Sequence, residues 1–140
     1  MKKALAIILS FVLILASSVP VFAANSEGTT VNPRYKYIIT TDASLLINTN
    51  TGISTSTASL ICESGYTAEV ECELQRYVGS TWNTVKTWTN RGDGYATTNE
   101  NWAVYSGYTY RIYVTYSVYN SSNRLLESTT ATDFYYYPSN

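Results

Sequence analysis

Between Ala68 and Gln75 the chain alternates without a break: Ala68, Val70, Cys72 and Leu74 are apolar, and Glu69, Glu71, Glu73 and Gln75 between them are polar. An extended strand has a side-chain period of two, so this spacing gives it one buried face and one wet face, whereas a helix would spread the same residues around its axis. The parity returns from Tyr108 to Tyr119, where Tyr108, Tyr110, Ile112, Val114, Tyr116 and Val118 share a face. A sheet that is apolar on one side only must bury that side against a second layer.

The other segments read as shorter strands between turns. Tyr35 to Thr41 and Ser44 to Asn48 form an interrupted first strand, broken at Thr41-Asp42-Ala43-Ser44. A polar stretch from Thr49 to Thr57 leads to a strand beginning at Ala58 and closed by Ser64-Gly65. Val78-Gly79-Ser80-Thr81 and Arg91-Gly92-Asp93-Gly94 are turns on either side of a strand from Trp82 to Thr89, and Tyr95 to Glu100 follows. Asn120-Ser121-Ser122-Asn123 is a hairpin connection into a last strand, Leu125 to Tyr137. The 14 tyrosines, with abundant Thr and Ser, suit pleated surfaces rather than helices. About seven strands with turn signals every ~8 to 12 residues predict an all-β, antiparallel two-sheet β-sandwich.

Val104-x-x-Gly107-x-x-Tyr110-x-Ile112-x-Val114 resembles the tyrosine corner of Ig-like and fibronectin type III-like domains. That resemblance implies that Tyr110 is structural, its hydroxyl bonding back to the loop before its strand. Leu74-Gln75-Arg76, Gly79, Trp82, Val85, Trp88, Gly107, Tyr110 and Arg111 also give the chain a broader likeness. It resembles a family of small exported proteins of unknown function from Gram-positive bacteria. This implies a compact exported domain and lends no activity.

The N-terminus reads as an export signal. Lys2 and Lys3 precede an apolar run from Ala4 to Ala16, and Val21-Phe22-Ala23 supplies small residues at the −3 and −1 positions of a cleavage site. The run falls short of the ~20 apolar residues of a spanning helix, which weighs against a retained anchor. The expected organisation is a signal peptide over 1–23, a disordered lead-in over 24–33 and a single β-sandwich domain over 34–138. Cleavage after Ala24 is the next alternative. The expected location is secreted and extracellular, with no membrane partner after cleavage.

Without Lys2 and Lys3 the nine basic residues fall to seven against ten acidic ones, a balance of −3. Nucleic acid and anionic lipid both select basic surfaces, so neither is an expected partner. The chain has no histidine, which removes His-based triads and the commonest general base at neutral pH. No G-x-S-x-G nucleophile motif is present. No catalytic residue, metal ligand or cofactor is assigned, and the expected protein is not an enzyme.

Cys62 and Cys72 occupy apolar-phase positions on successive strands, and two readings stay open: a disulfide, which an exported chain favours, or two buried thiols. Glu69, Glu71 and Glu73 form a carboxylate row with neighbours ~7 Å apart. Paired carboxylates can hydrolyse glycosidic bonds, but such a row is more often a soluble face. Arg111 on the adjacent strand is expected to neutralise one of the three. Glu69, Glu71, Glu73, Arg111 and Tyr113 are the candidate binding face, since rings, hydroxyls and charge together suit sugar recognition. Trp82 and Trp88 flank one strand, with Trp88 expected to be structural. Arg91-Gly92-Asp93 is read as a turn rather than as an integrin-type recognition loop. The function expected is non-catalytic binding of an extracellular ligand, a carbohydrate or a cell surface. A carboxylate-based hydrolase and a self-associating envelope protein are the alternatives.

Overall fold

The computed structural model describes residues 35–139, so the signal peptide and lead-in expected over 1–33 lie outside the described residues. Seven strands follow in order: β1 (Ile38–Asn48), β2 (Ile53–Cys62), β3 (Thr67–Val78), β4 (Thr81–Asp93), β5 (Tyr95–Ala103), β6 (Tyr108–Tyr119) and β7 (Leu125–Tyr137). They form two antiparallel sheets, β1-β2-β5 and β4-β3-β6-β7. The fold is therefore a β-sandwich of three strands on four. Its fourth strand pairs with the third instead of joining the first sheet, unlike the four-plus-three arrangement of constant immunoglobulin domains.

The alternating residues behave as their parity requires. Val70, Cys72 and Leu74 of β3 and Ile112, Val114 and Val118 of β6 are fully buried. Their partners in the other layer include Leu45, Ala58 and Leu60. Burying a side chain of this size stabilises by roughly 1.5 to 3 kcal/mol before conformational entropy is set against it. Tyr116 is buried as well, and its hydroxyl donates to the Asp42 carbonyl in the opposite sheet, joining the layers. Burial pushes that hydroxyl's pKa upward.

Three local expectations are corrected. The Thr41-Asp42-Ala43-Ser44 turn does not form: β1 runs unbroken from Ile38 to Asn48, and Asp42 pairs with Ser59 in the β2 ladder. The ladder satisfies the backbone that an isolated turn would otherwise have closed. β2 begins at Ile53, inside the stretch expected to be polar loop, with Ser54 and Ser56 facing the core. Ser54 Oγ donates to the Trp102 carbonyl at 2.9 Å, so a hydroxyl is buried without being orphaned. Arg91-Gly92-Asp93 belongs to β4, not to a turn, and the single residue Gly94 carries the chain from β4 to β5 in the other sheet. Gly94 has φ +70°, and a Cβ on Gly92 would sit 2.4 Å from the Tyr95 carbonyl oxygen. Both positions therefore require glycine.

Of the two readings left open for the cysteines, the structure carries the second: Cys62 and Cys72 are free thiols, both buried. Cys62 ends β2, its Sγ 3.7 Å from the Tyr66 carbonyl and so level with the start of β3. Cys72 lies five residues further along β3, a rise of roughly 16 Å at ~3.3 Å per residue. A bridge needs Cα atoms within about 7 Å. Burial raises the pKa of both thiols, that of Cys72 to about 11.

Candidate functional site

The outer face of the β4-β3-β6-β7 sheet is built by the polar phase of β3. Register places Glu69 between Arg91 and Ser117, Glu71 between Thr89 and Thr115, and Glu73 between Thr87 and Tyr113. Gln75 follows between Thr84 and Arg111, and Phe134 of β7 is opposite Arg111. Glu69, Glu71, Glu73, Arg111 and Tyr113 thus share one surface, with threonines of β4, β6 and β7 around them.

Arg111 does not neutralise a glutamate. Its Nε donates to Gln75 Oε1 at 2.8 Å, and its guanidinium lies 4.3 Å from the Trp82 ring centroid and 5.6 Å from that of Tyr113. Gln75 Nε2 in turn donates to Glu73 Oε2 at 2.9 Å, and Thr84 Oγ1 donates to the same oxygen at 2.6 Å. The chain from Glu73 through Gln75 to Arg111 fixes the cation against the Trp82 indole, where a stacked guanidinium is worth roughly 0.5 to 1 kcal/mol. Glu69 is met by Arg91 at 3.5 Å and by the Tyr119 hydroxyl at 3.0 Å. Desolvation, then the bond to Glu69, raises the Tyr119 pKa. Arg91 also stacks on Tyr119 at 4.2 Å and donates to Asn123.

At the far end of this face lies a ridge of rings. Trp82 has Tyr77 on one side at 5.0 Å and Phe134 on the other at 5.8 Å, with interplanar angles of 50° and 59°. Trp82 and Phe134 belong to the two edge strands and reach toward each other over the central pair. Tyr77 is 44% exposed, Phe134 53% and neighbouring Tyr136 61%. The candidate residues chosen from sequence omit Tyr77, Gln75, Phe134 and Tyr136. Parity counted backward along β7 from Tyr136 through Phe134 to Thr132 marks the outward set.

Trp88 faces inward opposite Cys72 and is half-buried against the core rather than enclosed. Tyr110 is 1% exposed, and its hydroxyl accepts from the Tyr105 N–H and donates to the Tyr105 carbonyl, each at 3.0 Å. Among the described residues no three His, Cys, Asp or Glu side chains converge on a point that could hold a metal ion. Comparison with family models, curated proteins and solved structures returns no match for this chain.

Proposed function

We propose that this is an exported, non-catalytic binding domain whose outer β4-β3-β6-β7 face docks a carbohydrate of a cell surface or matrix. The observation that carries the reading is the ring ridge of Tyr77, Trp82 and Phe134 beside a fixed polar array. Rings accept the C–H faces of sugars, while Glu73, Gln75 and the threonines offer bonds to hydroxyls. Glu69 and Glu73 are tied to neighbouring side chains, which suits presentation of fixed acceptors better than proton transfer. The resemblance to small exported proteins of Gram-positive bacteria accords with an extracellular ligand.

The test is a panel of wall and matrix polysaccharides against the native protein, Trp82→Ala and Tyr113→Ala. At least one glycan should bind, and Trp82→Ala should weaken it about tenfold, the equivalent of ~1.4 kcal/mol of lost stacking. Circular dichroism should stay unchanged. Absence of any glycan ligand, or binding indifferent to Trp82, overturns the proposal. Concentration-dependent dimers that dissociate on Phe134→Ala would assign the ridge to self-association instead.

A further inference from the structure

A second site lies on the inner edge of the sandwich, away from the ring ridge. Between the start of β4 and the end of β5 the two sheets part around a cleft of about 460 Å³. Its lining includes Arg76, Asn83, Val85, Trp102, Tyr105 and Tyr110. A volume of this order lies within the range of small-ligand sites.

Arg76 is the unexpected member. It follows Leu74 on the inward phase of β3 and pairs with Tyr110 and Asn83, so a cation stands where the strand otherwise carries core residues. Its guanidinium lies 4.7 Å from the Tyr108 ring centroid, while its Nε is buried with no hydrogen-bond partner. A guanidinium carries five N–H donors in a fork that matches a carboxylate, and a buried donor left unpaired is costly. The Tyr110 hydroxyl is already committed to Tyr105. No carboxylate lines the cleft, and the nearby Lys86 ammonium lies 4.9 Å from the Trp102 ring centroid. Glu100, two residues before Trp102 on β5, is the closest acid along that strand.

We infer that the cleft binds a small carboxylate carried on a ring, with Arg76 receiving the carboxylate and Trp102 and Tyr105 flanking the ring. The positive charge of Arg76 and the Trp102 and Tyr105 rings, on walls that also carry Asn83 and Thr84, together select an anion with a flat or C–H-rich body over a neutral ligand or a bare ion. A uronic acid and an aromatic acid share this chemistry. Thr84, which belongs to the outer-face polar array, also lines the cleft, but the inference does not rest on the outer-face reading, because neither Trp82 nor Phe134 does.

The tryptophans allow the two sites to be read separately. In ¹⁵N-resolved NMR of the protein, the Trp102 indole N–H reports on the cleft and that of Trp82 on the outer face. Galacturonate, benzoate and neutral galactose are titrated at constant ionic strength. A carboxylate should give saturable shifts of Trp102 and of the Arg76 Nε–H while Trp82 stays still, with galactose at least about tenfold weaker. Saturation by galacturonate alone assigns a uronate, and by benzoate alone an aromatic acid. Arg76→Gln should weaken binding about tenfold, and Lys86→Gln a few-fold. If Arg76→Gln fails to fold, Trp102→Ala and Lys86→Gln decide, since both side chains are partly exposed. Equal binding of galactose, no saturation by either carboxylate at millimolar concentration, or affinity unchanged in the variants overturns the inference.

Discussion

Tyr110 concentrates in one hydroxyl two of the bonds that hold the chain between β5 and β6, beside the backbone bonds of Val104 to Gly52 and of Gly107 to Tyr137. Its ring is enclosed, while Tyr105, whose backbone it grips, has a side chain 73% exposed. Tyr110→Phe keeps the ring and removes both bonds, so a loss of about 1 to 2 kcal/mol is expected from the urea midpoint with the slope unchanged. An unchanged midpoint would show that water replaces the hydroxyl without cost. This residue was legible because a glycine three positions before a strand tyrosine is a spacing with a mechanism. Gln75 was not: parity makes it an outward, wet residue, yet the bonds to Glu73 and Arg111 bury it. Ser54 and Ser56 fail in the opposite sense, because a polar side chain gives no sign that it faces a core. Parity reports the side a residue takes, and coverage by neighbours decides whether that side is dry.

Among the elements, β6 and β7 run over the bounds their alternation and hairpin signals predict, and β1 does not. In β1 a local turn signal competed with a ladder that only the folded protein supplies. The same strand shows how an edge is protected. Glu127 on the inward phase of β7 accepts the backbone N–H groups of Lys36, Tyr37 and Ile38, and Asp133 accepts that of Leu45. These carboxylates occupy donors that an exposed edge strand would offer to another chain. Desolvation raises the Glu127 carboxyl, but the three backbone donors together outweigh it and hold its pKa below the ordinary value. A carboxylate depressed on folding contributes stability that is complete above its unfolded pKa, about 4.3, and is lost as pH falls through the lower folded value. Glu127→Gln should therefore lower stability by about 1 to 2 kcal/mol at neutral pH. The gap in urea midpoint should close as the pH drops below about 4. A gap constant across the acid range would mean that shape, not charge, holds the edge.

At the scale of the molecule the two open sides of the sandwich are unequal. On the β1/β7 side the sheets are joined by the Glu127 and Asp133 carboxylates and by the Tyr35 to Thr129 hydroxyl contact at 2.7 Å. On the β4/β5 side Asn90 Nδ2 donates to the Thr97 carbonyl at 2.6 Å, and beyond it the sheets diverge around the cleft. β4 and β7 are both edge strands, each paired with one neighbour, so pairing alone gives them equal protection. The cross-sheet bonds break that equality. Native-state hydrogen exchange should show β3 and β6 amides opening only with global unfolding, β7 amides close behind, and β4 amides near Asn83 opening at a distinctly lower free energy. Glu127→Gln should bring β7 down toward β4 and leave β4 unchanged. Equal protection of the two edges would show that the core alone sets local stability. The predicted asymmetry would instead leave the sheet edge beside Arg76 free to open for a ligand while the opposite edge keeps the fold closed.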